Sequence, residues 1–332
     1  MTNPTSSAAV TPLRQKTVQP IEISFVIPAY NEAENIADTI SLVHVEATHL
    51  RLSHEILVVD DGSLDATCEI AVNAAHDLPV RVLRLSRNFG KEQAIMAGLW
   101  RATGAAVVIL DADMQEPVTH LATMLKHYRA GFEMVYATRA HRQDESHTKR
   151  AFANIFYRLL GIGSRVEIPP NARDFRLMDR RVVNALCALP ERDRFMKGLY
   201  GWIGFRSIAI PIEVEPRRNG ISKFGFLGLV KLALTGLTSF TSWPLRMWTG
   251  IGMVIACLAL CYGLWITLRT LLFGVDVQGW STLVVAVCLL GGVQLISIGV
   301  LGEYLSRVFL EVKGRPGFII AEETVSELLT RS

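Results

Sequence analysis

Cysteine is scarce: five in 332 residues, Cys68, Cys187, Cys257, Cys261 and Cys288, with no CxxC pair and no Cys/His cluster. That excludes a disulfide framework and a zinc site, and fits reduced cysteine in a protein that faces the cytoplasm. Neither sign of charge dominates. A formal net charge of +3 gives no electrostatic footprint for nucleic acid, and half of the residues are hydrophobic, which excludes a disordered chain. The first twenty residues are rich in Ser, Thr and Pro and have no apolar core, so they are read as a disordered tail (1–20) and not a signal peptide. The glycine-rich GxGxxG fingerprint and the Walker GxxxxGK[ST] loop are both missing, which argues against NAD and against a P-loop ATP site. What is abundant is apolar surface. The mean hydropathy is +0.29, and the excess lies toward the C-terminal end.

From residue 21 to about 140, short β-branched runs alternate with helical patterns. "ISFVIPAY" (23–30), "EILVVDDG" (55–62), "VRVLRLS" (80–86), "AVVILDAD" (106–113) and "EMVYATR" (133–139) read as strands buried on both faces. Residues 31–50, 64–76, 90–102 and 117–130 carry helical periodicity between them. Alternation of this kind predicts an α/β fold around a doubly wound, mostly parallel sheet, with ligands at the carboxyl ends of the strands. Beyond it, "HTKRAFANIFYRLLG" (147–161) reads as a basic amphipathic helix, "DFRLMDRRVVNALCALP" (174–190) as a strand and helix, and "IAIPIEVEPRR" (208–218) as a last strand.

Carboxylates collect on the predicted rim. Asn31 and Glu32, Asp60 and Asp61, and Asp111 and Asp113 follow three of the strands. In an extended segment Asp111 and Asp113, at i and i+2, face the same way. Two like charges held together call for a cation, and a hard Mg²⁺ or Mn²⁺ shared with substrate phosphates would supply it. An Asp-rich turn capping a helix is the alternative. "NFGKEQAI" sets Lys91 at a helix start, a place suited to phosphate.

Met247 to Leu268 and Gln278 to Gly302 contain no charged residue, and each is long enough to span a bilayer core of about 30 Å. Trp248, Trp265 and Trp280 sit where interfacial aromatics belong. Residues 224–246 read as interfacial, with Lys231 and many Gly, Ser and Thr opposing a third span. Arg246 before the first span and Arg307, Lys313 and Arg315 after the second put both ends in the cytoplasm, across a hairpin of about 247–268 and 279–302 and a cytoplasmic tail from 306.

The stretches "VIPAYNEAENI", "EILVVDDGSLDAT", "RNFGKEQAIMAGLWRATG", "ILDADMQEP", "RDFRLMDRRVVNAL", "FMKGLYGWIGF", "RRNGISKFGF" and "LGEYLSRVFLEVKGRP" together resemble the family 2 glycosyltransferases of GT-A fold that act on polyprenyl phosphates. The resemblance is closest to the bactoprenol (undecaprenyl) phosphate glucosyltransferases and more distant to dolichyl-phosphate mannose synthase. It runs from about residue 21 to 320; PAYNE and DAD are widely shared, RDFRLM and RxxGxSK narrower.

The resemblance implies a GT-A domain over 21–223 and inverting transfer of a hexose to a lipid phosphate, with UDP-glucose favoured over UDP-galactose, GDP-mannose or an amino-arabinose donor. It also implies a plasma-membrane enzyme, assembled as a homotetramer, that serves cell-wall or lipopolysaccharide modification. By the same resemblance Pro28, Tyr30, Glu32 and Asp60 hold the nucleoside, and Asp111 lies near the ribose and diphosphate. Asp113 with Gln115 binds the metal, and Arg139 and Arg150 meet the acceptor phosphate. Arg217, Ser222 and Lys223 close over the diphosphate with Lys91. Asp174 is the candidate catalytic carboxylate, with orientation of Arg176 as its alternative role. One departure is Arg173, where close relatives more often have Gly. A processive synthase is disfavoured by the lack of a QxxRW signature, and an inactive nucleotide-sugar-binding protein by the full set of Asp, Gln, Arg and Lys residues.

Overall fold

The computed structural model describes residues 20–139, 172–192, 194–213, 243–273 and 279–330. Arg150 and the helix expected at 147–161, Arg217, Ser222 and Lys223, the stretch 224–242, and the loop carrying Asp276 lie outside the described residues.

The expected strands form as β1 (Ile23–Ala29), β2 (His54–Asp60), β3 (Val80–Leu85), β4 (Ala106–Ile109) and β5 (Met134–Arg139). They are followed by β6 (Ala172–Asp179), β7 (Ser207–Ile212) and β8 (Ile320–Val325). One sheet orders them β7-β5-β6-β4-β1-β2-β3-β8, with β6 and β8 antiparallel to their neighbours and the remainder parallel. The sheet is thus mostly parallel, as the apolar runs predict. Strand β1 lies between β2 and β4, so the connections diverge there, the place where a sheet of this kind has its ligand crevice, outside the carboxyl ends of β1 and β4.

Alternation within each strand supplies both faces. Phe25, Ile27, Val58, Val108, Val135 and Leu177 pack under helices α1 (Ile36–His49), α2 (Thr67–Ala74) and α4 (Leu121–Arg129). Val26, Val59, Leu83, Ile109 and Met178 face α3 (Lys91–Arg101), α5 (Arg180–Ala188) and α6 (Met196–Trp202). Asp179 caps α5 by accepting from the Arg181 amide at 2.8 Å, which explains the abrupt change from strand to helix.

Two boundaries differ from expectation. β4 stops at Ile109, so Asp111 and Asp113 do not stand on an extended strand. The chain turns there: Ala112 gives its carbonyl to the Thr39 hydroxyl at 2.9 Å, and Met114 adopts φ 53°. Helix α1 starts at Ile36 rather than near 31 because residues 31–35 are engaged in tertiary bonds. Asn31, at φ 54°, takes the Leu64 amide on its side-chain oxygen, and the Glu32 amide donates to the Thr67 hydroxyl.

The C-terminal part holds two long helices, α7 (Trp243–Phe273, 31 residues) and α8 (Trp280–Val312, 33 residues). At 1.5 Å per residue each is longer than the ~30 Å hydrocarbon core, so part of each lies beyond any bilayer it crosses. Among the described residues one segment, Leu289–Val312, is long and apolar enough to cross a membrane. The region after 306 is not a free tail. Helix α8 continues to Val312, ends at Gly314 (φ 73°) ahead of Pro316, and the chain then returns to the sheet as β8. Arg81 and Arg101 on the catalytic side meet Glu323 at 3.4 and 3.3 Å.

Candidate active site

The crevice is framed by turns that the sheet register brings together. Asp60 ends β2 opposite Ala29, fully buried, with Oδ1 accepting from the Ser63 amide at 3.1 Å and Arg84 Nε 3.9 Å from Oδ2. Asp61 reaches across to the start of α3 and accepts from the amides of Phe89 (2.7 Å) and Gly90 (2.9 Å). It thereby fixes the turn that leads into α3, and burial is the main cause raising its carboxyl above the usual range. Gly62 between these turns has φ 69°, and a Cβ there would lie 2.5 Å from the Arg87 carbonyl carbon. Only glycine allows this crossing.

With α3 so placed, Lys91 at its first position reaches the centre of the site. Its ammonium lies 2.6 and 2.8 Å from the two oxygens of Asp111 and also bonds Asp174 Oδ2 on β6. Each contact spans the sheet: the partners are 20 and 83 residues apart. Lys91 is protonated, its pKa raised by the Asp111 and Asp174 charges against the effect of burial. Burial opposes charge on Asp174, but Lys91, Lys197 and Arg176 hold its carboxyl down at about 2. Asp111 is displaced upward, chiefly by burial and then by Asp174 and Asp113. The two carboxylates stay together because a side-chain cation lies between them.

Around this trio lies a set of groups on α3 and α6. Glu92 is pushed up to about 7 by burial and by Asp174, against Lys91, Lys197 and the Met196 amide. Arg176 is buried, stacked 3.7 Å from the Tyr200 ring and 5.0 Å from Tyr136, and donates to Met134 Sδ at 3.1 Å. Asp174 bonds Lys91, and its influence on Arg176 is electrostatic. Sequence reading missed Glu92, Lys197 and Tyr200. The signal was present in "FMKGLYGW", where Lys197 and Tyr200 are three apart and share a helix face.

The acidic turn after β4 is organised by Arg173. Its Nε lies 2.7 Å from Glu116 Oε1, and Nη2 donates to Gln115 Oε1 at 3.2 Å. Burial and Asp111 push Glu116 up to about 7, with Arg173 opposing. Among the described residues Glu116 Oε2 is buried without a hydrogen bond. Asp113 accepts from the Gln115 amide at 3.2 Å. Asp111, Asp113, Gln115 and Glu116 offer only oxygen, the donor type of Mg²⁺ and Mn²⁺. Their chemistry fits such an ion, although Gln115 Oε1 is shared with Arg173. Among the described residues no group of three or more His, Cys, Asp or Glu is arranged to hold one.

Pro28 lies in β1 opposite Val59, and Tyr30 follows the strand; the Glu32 carboxylate accepts from Asn35 Nδ2 at 2.8 Å. Arg139 ends β5 opposite Ile212 of β7, in a part-buried position.

Residues 24–187 match the model of glycosyl transferase family 2, and residues 243–308 match that of the GtrB C-terminal hairpin. The chain is 43% identical over 305 residues to a bactoprenol glucosyl transferase of Shigella phage SfV, covering 91% of this chain and 99% of that one. It is 42% identical over 302 residues to the prophage bactoprenol glucosyl transferase homolog of Escherichia coli (strain K12), covering 90% and 98%. An uncharacterized glycosyltransferase of Synechocystis sp. is 44% identical over 303 residues, covering 91% and 95%. Matched in both halves and along nine-tenths of its length, the chain belongs to glycosyl transferase family 2, beside the bactoprenol glucosyl transferases, and is a glycosyltransferase.

Proposed function

We propose that this chain transfers glucose from UDP-glucose to undecaprenyl phosphate at the cytoplasmic face of the membrane. The observation that carries the reading is its 43% identity, over nearly the whole length, to proteins named for glucosyl transfer to bactoprenol. The crevice at β1 and β4, lined by Lys91, Asp111 and Asp174, is where a sugar nucleotide of such a sheet belongs. The donor's nucleoside lies against Pro28, Tyr30, Glu32 and Asp60, and its diphosphate lies near Lys91 and Asp111, with Arg217, Ser222 and Lys223 closing over it.

An acceptor phosphate oxygen attacks the anomeric carbon, the bond from that carbon to the nucleoside diphosphate breaks, and the configuration inverts. A phosphate monoester has a second pKa of about 6, so near pH 7 the nucleophile is already largely dianionic and requires no base. Asp174, held at about 2, is a poor base in any case. Its role is to fix Lys91, and with it the charge that faces the leaving diphosphate. Arg139 and Arg150 meet the acceptor phosphate, a group that guanidinium binds bidentately. Asp113 with Gln115 would hold Mg²⁺ or Mn²⁺, which when bound supplies Lewis-acid neutralisation of diphosphate charge.

Helices α7 and α8 supply a transmembrane hairpin, and the enzyme is a multi-pass tetramer that feeds surface-glycan modification. Full-length enzyme, undecaprenyl phosphate in vesicles and a panel of nucleotide sugars test the reading. Release of UDP from UDP-glucose, dependent on the lipid and abolished by EDTA, is expected. Preference for GDP-mannose or an amino-arabinose donor would replace the assigned sugar, and full activity in excess EDTA would remove the metal.

A further inference from the structure

Helix α8 and the catalytic sheet are joined by more than the chain itself. In the last turn of α8, Glu311 Oε1 accepts from the Arg192 amide at 2.8 Å, and the Glu311 carbonyl accepts from the Arg192 guanidinium at 2.5 Å. Arg192 lies between α5 and α6, and its own carbonyl accepts from Gln93 Nε2 at 2.6 Å. Gln93 is in the first turn of α3, two residues beyond Lys91. The segment leaving α8 then runs along the same helix. Gly317 abuts Gln93 so closely that a Cβ would lie 2.3 Å from its Oε1, and Phe318 meets Trp100 edge-on at 6.2 Å. The Ser86 amide donates to the Ile319 carbonyl at 2.9 Å before β8 begins.

We propose that Glu311, Arg192 and Gln93 form a positioning relay that fixes the Lys91 turn relative to the end of α8. The inference rests on the function proposed above, because it assigns the relay to presenting the site to an acceptor phosphate held in a bilayer. An acceptor anchored in lipid cannot adjust its own height, so the distance from the membrane helix to the reacting centre must be set by the protein. Arg192 suits the task because its amide, carbonyl and guanidinium are all engaged, two toward α8 and one toward α3. Gln93 and Lys91 share the first turn of α3, so the effect acts through the placement of α3.

The test uses full-length enzyme carrying Glu311→Ala, which removes the oxygen that accepts from the Arg192 amide, Gln93→Ala or both. For undecaprenyl phosphate in phosphatidylcholine vesicles, each single variant should lose about tenfold in kcat/KM. The double should lose no more than either single, because both break one relay. A short-chain, water-soluble prenyl phosphate should be used at near wild-type efficiency by all three, with the dissociation constant for UDP unchanged. Equal losses on both acceptors, losses that multiply in the double, or no loss at all would overturn the relay. Should the wild type use neither prenyl phosphate, the functional reading fails on its own. The relay is then judged by amide hydrogen exchange in the first turn of α3, which must quicken in both single variants.

Discussion

Lys91 converts a repulsive pair of carboxylates into a stable one, and the consequences are local and measurable. Asp174 at about 2 is ionised throughout the working range, and its contribution to stability is fully present above its unfolded pKa of about 3.9. That contribution is lost only as pH falls through the folded value. Asp174 therefore adds nothing to the acidic limb of the rate profile, which falls where the acceptor phosphate titrates near 6 and Glu92 and Glu116 at about 7. Asp174→Asn should cost about tenfold in kcat, short of the 10²–10⁴ of a missing general base, and should keep that acidic limb. Asp174→Ala should lose more, having no oxygen for Lys91. Initial rates of both variants from pH 5 to 9 decide the matter; rescue of the Asn variant at high pH would make Asp174 a base. Asp111 and Asp174 were legible in "DAD" and "RDFRLM". That Lys91 bonds both was not, because those contacts span 20 and 83 residues and depend on where α3 is laid on the sheet. Arg173 was visible as a departure, but its bonds to Glu116 and Gln115 arise only when β6 is inserted beside β4.

Among the strands, β8 is the one that sequence patterning left out. "IAEETV" lacks the apolar run of the central strands and follows a membrane-type helix, so it reads as tail. It pairs with β3 because β3 would otherwise present an unpaired edge, and Glu322 and Glu323 there meet Arg84, Arg81 and Arg101. These ion pairs are partly exposed and individually worth about 0–1 kcal/mol. Glu323→Ala should therefore shift the Tm by no more than a few degrees. Truncation after Phe318 removes the whole ladder and bares the β3 edge, so it should lower the Tm by clearly more and promote aggregation. Thermal unfolding and size-exclusion profiles of the two variants in detergent compare them; equal effects would show that β8 contributes only through Glu323.

For the whole molecule, β8 imposes a constraint on membrane topology. The chain leaves the sheet after β7 and re-enters it at β8, so whatever crosses a bilayer between them must cross an even number of times. Charge counting reaches the same conclusion from Arg246, Arg307, Lys313 and Arg315. In a cysteine-free background, an impermeant thiol reagent outside the cell should label Asp276→Cys and spare Pro20→Cys and Lys313→Cys. External labelling at 313 would require a third crossing.

The strand–helix alternation, the mostly parallel sheet, the acidic rim and the apolar C-terminal stretches were all determined by sequence alone. Each is a local pattern, set by which side of a strand or helix must leave water. Tertiary structure decided what lies far apart in the chain: the cation between Asp111 and Asp174, the Arg173 contact with the acidic turn, the return of β8, and the bond from Glu311 through Arg192 to Gln93. Hydrophobic period fixes which face is buried, but it carries no information about which polar groups meet once those faces are packed.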